Sequence, residues 1–214
     1  MKDHEMLVEK SLTKFLDELA SGSPAPGGGS VAALCGALGA GLTAMVCNLT
    51  IGKKKYLDHE AELKHVLEEA EKKRRHFTEL IDRDTRAFNK VMEAYTLPKD
   101  TEAQKALRAA AIQGATKEAA LVPLEVMRHA IDTLAVVRTI AEKGNVNSTS
   151  DAGVSALMLH AACESAALNV QVNLKNIADT EFVGWRTEEV NSLLRTSKTS
   201  AGEILSLVRG KILS

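Results

Sequence analysis

The sequence predicts an all-α fold: one domain over residues 1–214, built as a bundle of long antiparallel helices, two of them largely buried. Three observations carry this reading. Apolar residues recur every three or four positions almost throughout, and no alternating strand pattern persists. Aromatic residues make up only 3% of a chain rich in Ala, Leu, Glu and Lys, which favours helix and leaves little for a sheet-based core. A length of 214 residues fits one domain of ordinary size, large enough to bury a core without disulfides or a structural metal.

The elements follow in order. A short amphipathic helix is expected over 5–20, with Leu12, Phe15, Leu16 and Leu19 on one face. Residues 21–29 are a Gly-, Pro- and Ser-rich loop, and Ser30 is the expected N-cap of a helix reaching about residue 51. That helix is apolar on every side, which places it inside the fold. Its small residues Ala33, Gly36, Ala37, Ala40, Gly41 and Ala44 would let neighbouring backbones approach closely. Residues 23–52 carry no charge and Lys53, Lys54 and Lys55 follow, formally the pattern of a membrane span. The Pro- and Gly-rich start, Asn48 and the dominance of Gly and Ala favour a closely packed buried helix instead. A long helix over 58–95 ends before Leu97-Pro98, and another over 101–143 carries an expected kink at Pro123. After a polar loop over 144–150, helices are expected over 151–179 and 187–213.

Charge and cysteine usage exclude several functions. With 27 basic and 28 acidic residues there is no basic excess for nucleic acid. Cys35, Cys47 and Cys163 sit in apolar stretches without metal-ligand spacing and read as reduced core thiols of a cytoplasmic protein. The charged N-terminal residues lack the apolar run of a signal peptide.

Polar residues that periodicity places in the interior carry the functional signal. Asp84 lies on the apolar stripe of Phe77, Leu80, Ile81, Phe88, Val91, Met92 and Tyr95, whereas Asp82, Arg86 and Asn89 fall on the solvated face. A carboxylate taken out of water has a raised pKa, suited to proton transfer; capping a neighbouring helix or pairing with a buried lysine is an equally weighted alternative. Along the helix after Asp151, Val154, Leu157, Met158, Ala161, Ala162, Leu168 and Val172 make an apolar face, and Asn169, Asn173 and Asn176 a second stripe. Aligned amides either join helices or line a polar pocket, and the preceding Asn145, Asn147, Ser148, Ser150 and Asp151 favour the pocket. Gly27, Gly28 and Gly29 open a helix whose free N–H groups can hold an anion or a carbonyl, though this is neither a Walker loop nor a dinucleotide fingerprint. Lys53, Lys54 and Lys55 are ordinarily a solvated charge run. The six histidines form no metal pattern, and His160 reads as a satisfied core residue.

Five stretches together resemble the cyclodeaminase family, found as one domain of bifunctional formiminotransferase-cyclodeaminase and as free-standing bacterial proteins. They are Pro24-Ala-Pro-Gly-Gly-Gly-Ser-Val-Ala32, Gly52-Lys-Lys-Lys-Tyr56, Asp82-Arg-Asp-Thr-Arg-Ala-Phe-Asn89, Gly144-Asn-Val-Asn-Ser-Thr-Ser-Asp-Ala-Gly-Val154 and Ala167-Leu-Asn-Val-Gln-Val-Asn-Leu174. The resemblance implies an all-α homodimer with a tetrahydrofolate derivative between its helices and no metal or other cofactor. The implied reaction converts 5-formimidoyltetrahydrofolate to 5,10-methenyltetrahydrofolate and ammonia; some free-standing relatives are instead methenyltetrahydrofolate cyclohydrolases. On this reading Asp84 moves the protons, and Gly27, Gly28, Gly29 and Ser30 approach the ligand. Asn145, Asn147, Asp151, Asn169 and Asn173 hydrogen-bond it, and Lys53, Lys54 and Lys55 receive its glutamate carboxylates. A non-catalytic helical dimerisation module and a membrane protein are the competing readings.

Overall fold

A computed structural model describes residues 6–213, and among them there are six α-helices and no strand. These are α1 (Leu12–Leu19), α2 (Gly28–Asn48), α3 (Glu60–Tyr95), α4 (Glu102–Lys143), α5 (Thr149–Leu174) and α6 (Thr180–Leu213). Short 3₁₀ turns at Leu7–Glu9, Lys54–His59 and Val146–Ser148 join them. α2 is the centre. It packs along α3 and α5 with α4 also against it, while α6 covers α4 and α5.

Small residues let α2 sit there. A β-carbon on Gly36 would fall 2.5 Å from the Phe77 ring, and one on Gly39 would fall 2.7 Å from the Leu159 side chain. The gain is close packing of Phe77 and Leu159, both fully buried, against a helix backbone. Thr43 and Ser155 tie the two helices by a 2.9 Å hydroxyl contact that satisfies both in the core. α2 is long and apolar enough to cross a membrane by composition, but most of it is buried within the bundle. Gly52, at φ +79°, turns the chain after α2 in a conformation that favours glycine.

The structure changes several expected boundaries. Of the first expected helix, over 5–20, Glu5 lies outside the described residues; the rest is a 3₁₀ turn at Leu7–Glu9 and α1, where Phe15 is buried while Leu12 and Leu16 are exposed. Gly27, not Ser30, is the N-cap of α2, because the glycines adopt helical geometry and release Ser30 for a tertiary role. α5 stops at Leu174 rather than 179, and α6 begins at Thr180 rather than 187. Gln113 fixes this corner: its amide accepts from Ala178 N–H at 2.8 Å and donates to Asn176 C=O at 2.9 Å. The other large correction concerns α5. Its buried face is Ala152, Ala156, Leu159, Cys163, Ala166 and Val170, whereas Val154, Leu157, Leu168 and Val172 of the expected apolar face are exposed.

α4 runs unbroken across Pro123. Proline cannot donate to the carbonyl four residues back, that of Ala119. The Asn173 side chain donates to that carbonyl at 3.3 Å instead. The three cysteines are free thiols, as expected, and burial pushes Cys47 up to about 12 and Cys163 up to about 11.

Candidate functional site

A pocket of about 420 Å³ opens where the start of α2 meets the C-terminal third of α3, the middle of α4 and the end of α5. Gly27, Gly28, Gly29, Asp84, Asn169, Asn173 and Asn176 all line it. At Gly29 a side chain would not fit, and at Gly28 it would crowd a neighbour. A β-carbon on Gly29 would meet Asp84 Oδ1 at 2.0 Å, and one on Gly28 would meet Asn169 Nδ2 at 3.1 Å. Bare backbone therefore forms one wall, and the acid and the amide lie against it.

Asp84 is half-buried at the first turn of α2. Burial raises its pKa above the ordinary carboxylate range, and the hydroxyl and backbone N–H of Ser30 partly offset that rise. The expected buried acid and the expected helix-capping acid are thus the same residue. Ser30, itself fully buried, has its hydroxyl 2.9 Å from Ile81 C=O and 3.1 Å from Asp84 Oδ2. One hydroxyl carries one proton. It can go to Ile81 C=O or to Asp84 Oδ2, so Ser30 holds the carboxyl in place and favours its ionised form only in part.

The amides are also oriented. Asn169 donates to Ser165 C=O at 2.8 Å, and Asn173 donates to Asn169 C=O at 2.9 Å as well as to Ala119. With their nitrogens engaged by backbone, the side-chain oxygens of Asn169 and Asn173 remain as acceptors. Opposite them, Phe88, Val91, Met92 and Tyr95 of α3 supply an apolar wall, joined by Val172. Sequence periodicity assigns these α3 residues to the core stripe, but Met92 and Tyr95 are half-exposed and face the pocket opening. Thr116 and Ala119 of α4 complete the lining and are missed by sequence reasoning, since neither departs from ordinary helical patterning.

The remaining candidates lie elsewhere. Asp82 is buried, not solvated, because it accepts a 2.7 Å hydrogen bond from Leu7 N–H and anchors the N-terminal turn. Asn145 is buried at the other end of α2, where its N–H donates to Thr50 Oγ1 at 2.9 Å and its side chain donates to Leu49 C=O at 3.0 Å. Asn147, Lys53, Lys54 and Lys55 are exposed at that same end, and Asp151 is half-buried in the first turn of α5. A helix of 21 residues separates the two ends, about 30 Å at 1.5 Å per residue. Within one chain, these residues do not line the Asp84 pocket. His160 is satisfied by Ser197 Oγ at 2.8 Å, as expected.

Residues 11–192 match the family model described as formiminotransferase-cyclodeaminase. A protein of Methylorubrum extorquens named methenyltetrahydrofolate cyclohydrolase is 48% identical over 97% of this chain and all of its own length. The formimidoyltransferase-cyclodeaminase of Sus scrofa is 34% identical over 97% of this chain, which spans 38% of that protein. A crystal structure of formiminotetrahydrofolate cyclodeaminase from Thermotoga maritima superposes with a TM-score of 0.85 at 34% identity, covering 95% of this chain and 98% of that one.

Proposed function

Because the chain belongs to the formiminotransferase-cyclodeaminase family, we propose that it is an enzyme of folate one-carbon metabolism acting on the carbon between N5 and N10 of tetrahydrofolate. The observation that carries this reading is the convergence of the Gly28–Gly29 backbone, Asp84 and the paired amides on one pocket. Its apolar wall suits a flat pterin ring, and its free amide oxygens suit the ring's N–H donors.

The first reaction we infer is hydrolysis of 5,10-methenyltetrahydrofolate to 10-formyltetrahydrofolate. Water adds to the methenyl carbon and gives up its protons, the carbon–N5 bond breaks, N5 takes a proton, and one proton leaves to solvent. Asp84 is the group we assign to receive a proton from the attacking water and return one to N5, a contribution on the order of 10²–10⁴-fold. The full-length 48% identity to a relative named as the cyclohydrolase favours this reading.

The ammonia-releasing reaction is the second reading, favoured by the name of the structural neighbour. There N10 attacks the carbon of the protonated formimidoyl group (N5–CH=NH2⁺) and loses its proton, the departing NH2 gains one and leaves as ammonia, and the same carboxyl carries that proton. Incubating the protein with each folate separately, and following methenyl absorbance together with ammonia, separates the two. Decay without ammonia supports the hydrolase, and formation with ammonia supports the lyase. Absence of both changes, with folded protein, would overturn the assignment to folate.

We infer further that the enzyme acts as a homodimer. Leu38 and Met45 of α2, Leu49 just after it, and Val154, Leu157, Leu168 and Val172 of α5 are exposed on two helices that pack against each other, apolar side chains that a second copy would cover. An antiparallel pairing across that surface would bring Lys53, Lys54 and Lys55 of one chain toward the Asp84 pocket of the other. There they would receive the folate glutamate carboxylates.

A further inference from the structure

No spacing in the sequence marks a metal site, yet the fold brings two histidines and a glutamate together away from the Asp84 pocket. We propose that His76, Glu125 and His129 bind a divalent transition-metal ion of the zinc class. His76 lies on α3, eight residues before Asp84; Glu125 and His129 lie one turn apart on α4. One ligand-capable atom from each falls within 4.8 Å of the others. All three residues are partly buried, so the metal would exchange solvent for protein ligands at the surface of the α3–α4 seam.

The three side chains lie close to the spacing that a tetrahedral ion requires. His76 Nε2 lies 2.6 Å and His129 Nε2 3.9 Å from the same oxygen, Glu125 Oε1. Four-coordinate zinc with ligands at about 2.0–2.1 Å holds neighbouring ligand atoms about 3.3 Å apart. One contact opens and the other closes by roughly 0.6–0.7 Å, within side-chain adjustment. Each imidazole also turns its other nitrogen toward a carboxylate: His76 Nδ1 is 3.8 Å from Glu79, and His129 Nδ1 is 3.8 Å from Asp132. Both distances are beyond hydrogen-bond reach; drawn in on metal binding, each carboxylate would orient its histidine and fix the tautomer. Two histidines and one carboxylate, with a position left for water, suit zinc or cobalt better than calcium or magnesium.

Two cations compete with the metal. Arg83 donates to both Glu125 oxygens, at 3.0 and 2.9 Å, and Lys73 lies 2.9 Å from His129 Nδ1 and 2.6 Å from Asp132. Metal binding therefore leaves Arg83 on Glu125 Oε2 alone and Lys73 on Asp132 alone. This competition distinguishes a metal site from a purely structural ion-pair cluster, in which Arg83 would be an essential partner.

The test uses the full chain, stripped of metal with a chelator and titrated with Zn²⁺ against a competing indicator, with circular dichroism confirming the fold of each variant. One Zn²⁺ per chain is expected at micromolar affinity or tighter, weakened at least about 10–100-fold by Glu125→Gln or His129→Ala. Arg83→Gln is expected to tighten it, since the competing guanidinium is gone. Wild-type protein with Co²⁺ supplies a readout that needs no variant: a visible d–d absorption band displaced by Zn²⁺. Absence of Zn²⁺ binding below about 100 μM, a value well short of known structural zinc affinities, overturns the proposal. So does unchanged affinity in both ligand variants, or weakened affinity in Arg83→Gln.

Discussion

The backbone of Gly29 and the carboxylate of Asp84 lie so close that a β-carbon on the glycine would stand 2.0 Å from Oδ1. Gly29→Ala must therefore push Asp84 out of its place or shift the first turn of α2. We expect a stability loss of about 1–3 kcal/mol, the usual cost of overpacking. Misplacing the proton-transfer group should lower kcat on the order of 10²-fold. Thermal unfolding and steady-state kinetics on the same preparation check both; an alanine variant with unchanged kcat would show that the contact does not matter to turnover.

Asp84 should also mark the pH dependence of stability. Burial raises its pKa, so the folded chain holds the proton more tightly than the unfolded chain does. Ionised Asp84 therefore costs stability. The cost is absent below the unfolded value, grows as pH rises toward the raised folded value, and is constant above it. Its size is about 1.4 kcal/mol for every pH unit that separates the two values. Asp84→Asn removes this titration. The Tm advantage of the variant should be smallest at the lowest pH where both proteins fold, and should grow to a plateau toward neutrality. A difference independent of pH would contradict the assignment.

Asn173 and Pro123 should be energetically coupled through Ala119. Asn173→Ala leaves the Ala119 carbonyl without the side-chain donor that replaces the one proline lacks. We expect a loss of about 1–3 kcal/mol. Pro123→Ala gives that carbonyl a backbone donor again, so the same Asn173→Ala change should cost about 1 kcal/mol less in that background. Denaturant unfolding of the four proteins measures the coupling, and strict additivity would refute it.

A composite site in the dimer predicts complementation. Asp84→Asn and a variant with Lys53, Lys54 and Lys55 all changed to Glu should each be poorly active alone on a polyglutamylated folate. Mixed after unfolding and refolding together, they should recover about a quarter of wild-type activity, because half of randomly formed dimers carry one intact site. No recovery on mixing, with dimers present, would place the lysines outside the partner's pocket.

The fold was legible because its signals are local. Helical period, the breakers around Pro24 and Pro98 and the scarcity of aromatic residues specify six helices without tertiary information. Asp84, Asn169 and Asn173 were legible as well, since each breaks an apolar pattern that only a pocket or a partner could accommodate. What failed depended on the assembled bundle. Asp82 reads as solvated from its helix alone, because the Leu7 N–H that buries it comes from 75 residues away. On α5, Leu168 and Val172 are as apolar as core residues, and composition cannot distinguish a face covered by the same chain from one left exposed in it. His76 and His129 meet only through the α3–α4 crossing.

The most direct test of the central claim measures turnover and binding on one variant. Wild-type protein and Asp84→Asn are assayed for hydrolysis of 5,10-methenyltetrahydrofolate and, separately, for cyclisation of 5-formimidoyltetrahydrofolate, with tetrahydrofolate binding followed by calorimetry. The account predicts turnover of at least one folate by wild type, a loss on the order of 10²–10⁴-fold in the variant, and binding of tetrahydrofolate by both. A folded Asp84→Asn protein that keeps wild-type turnover would contradict it.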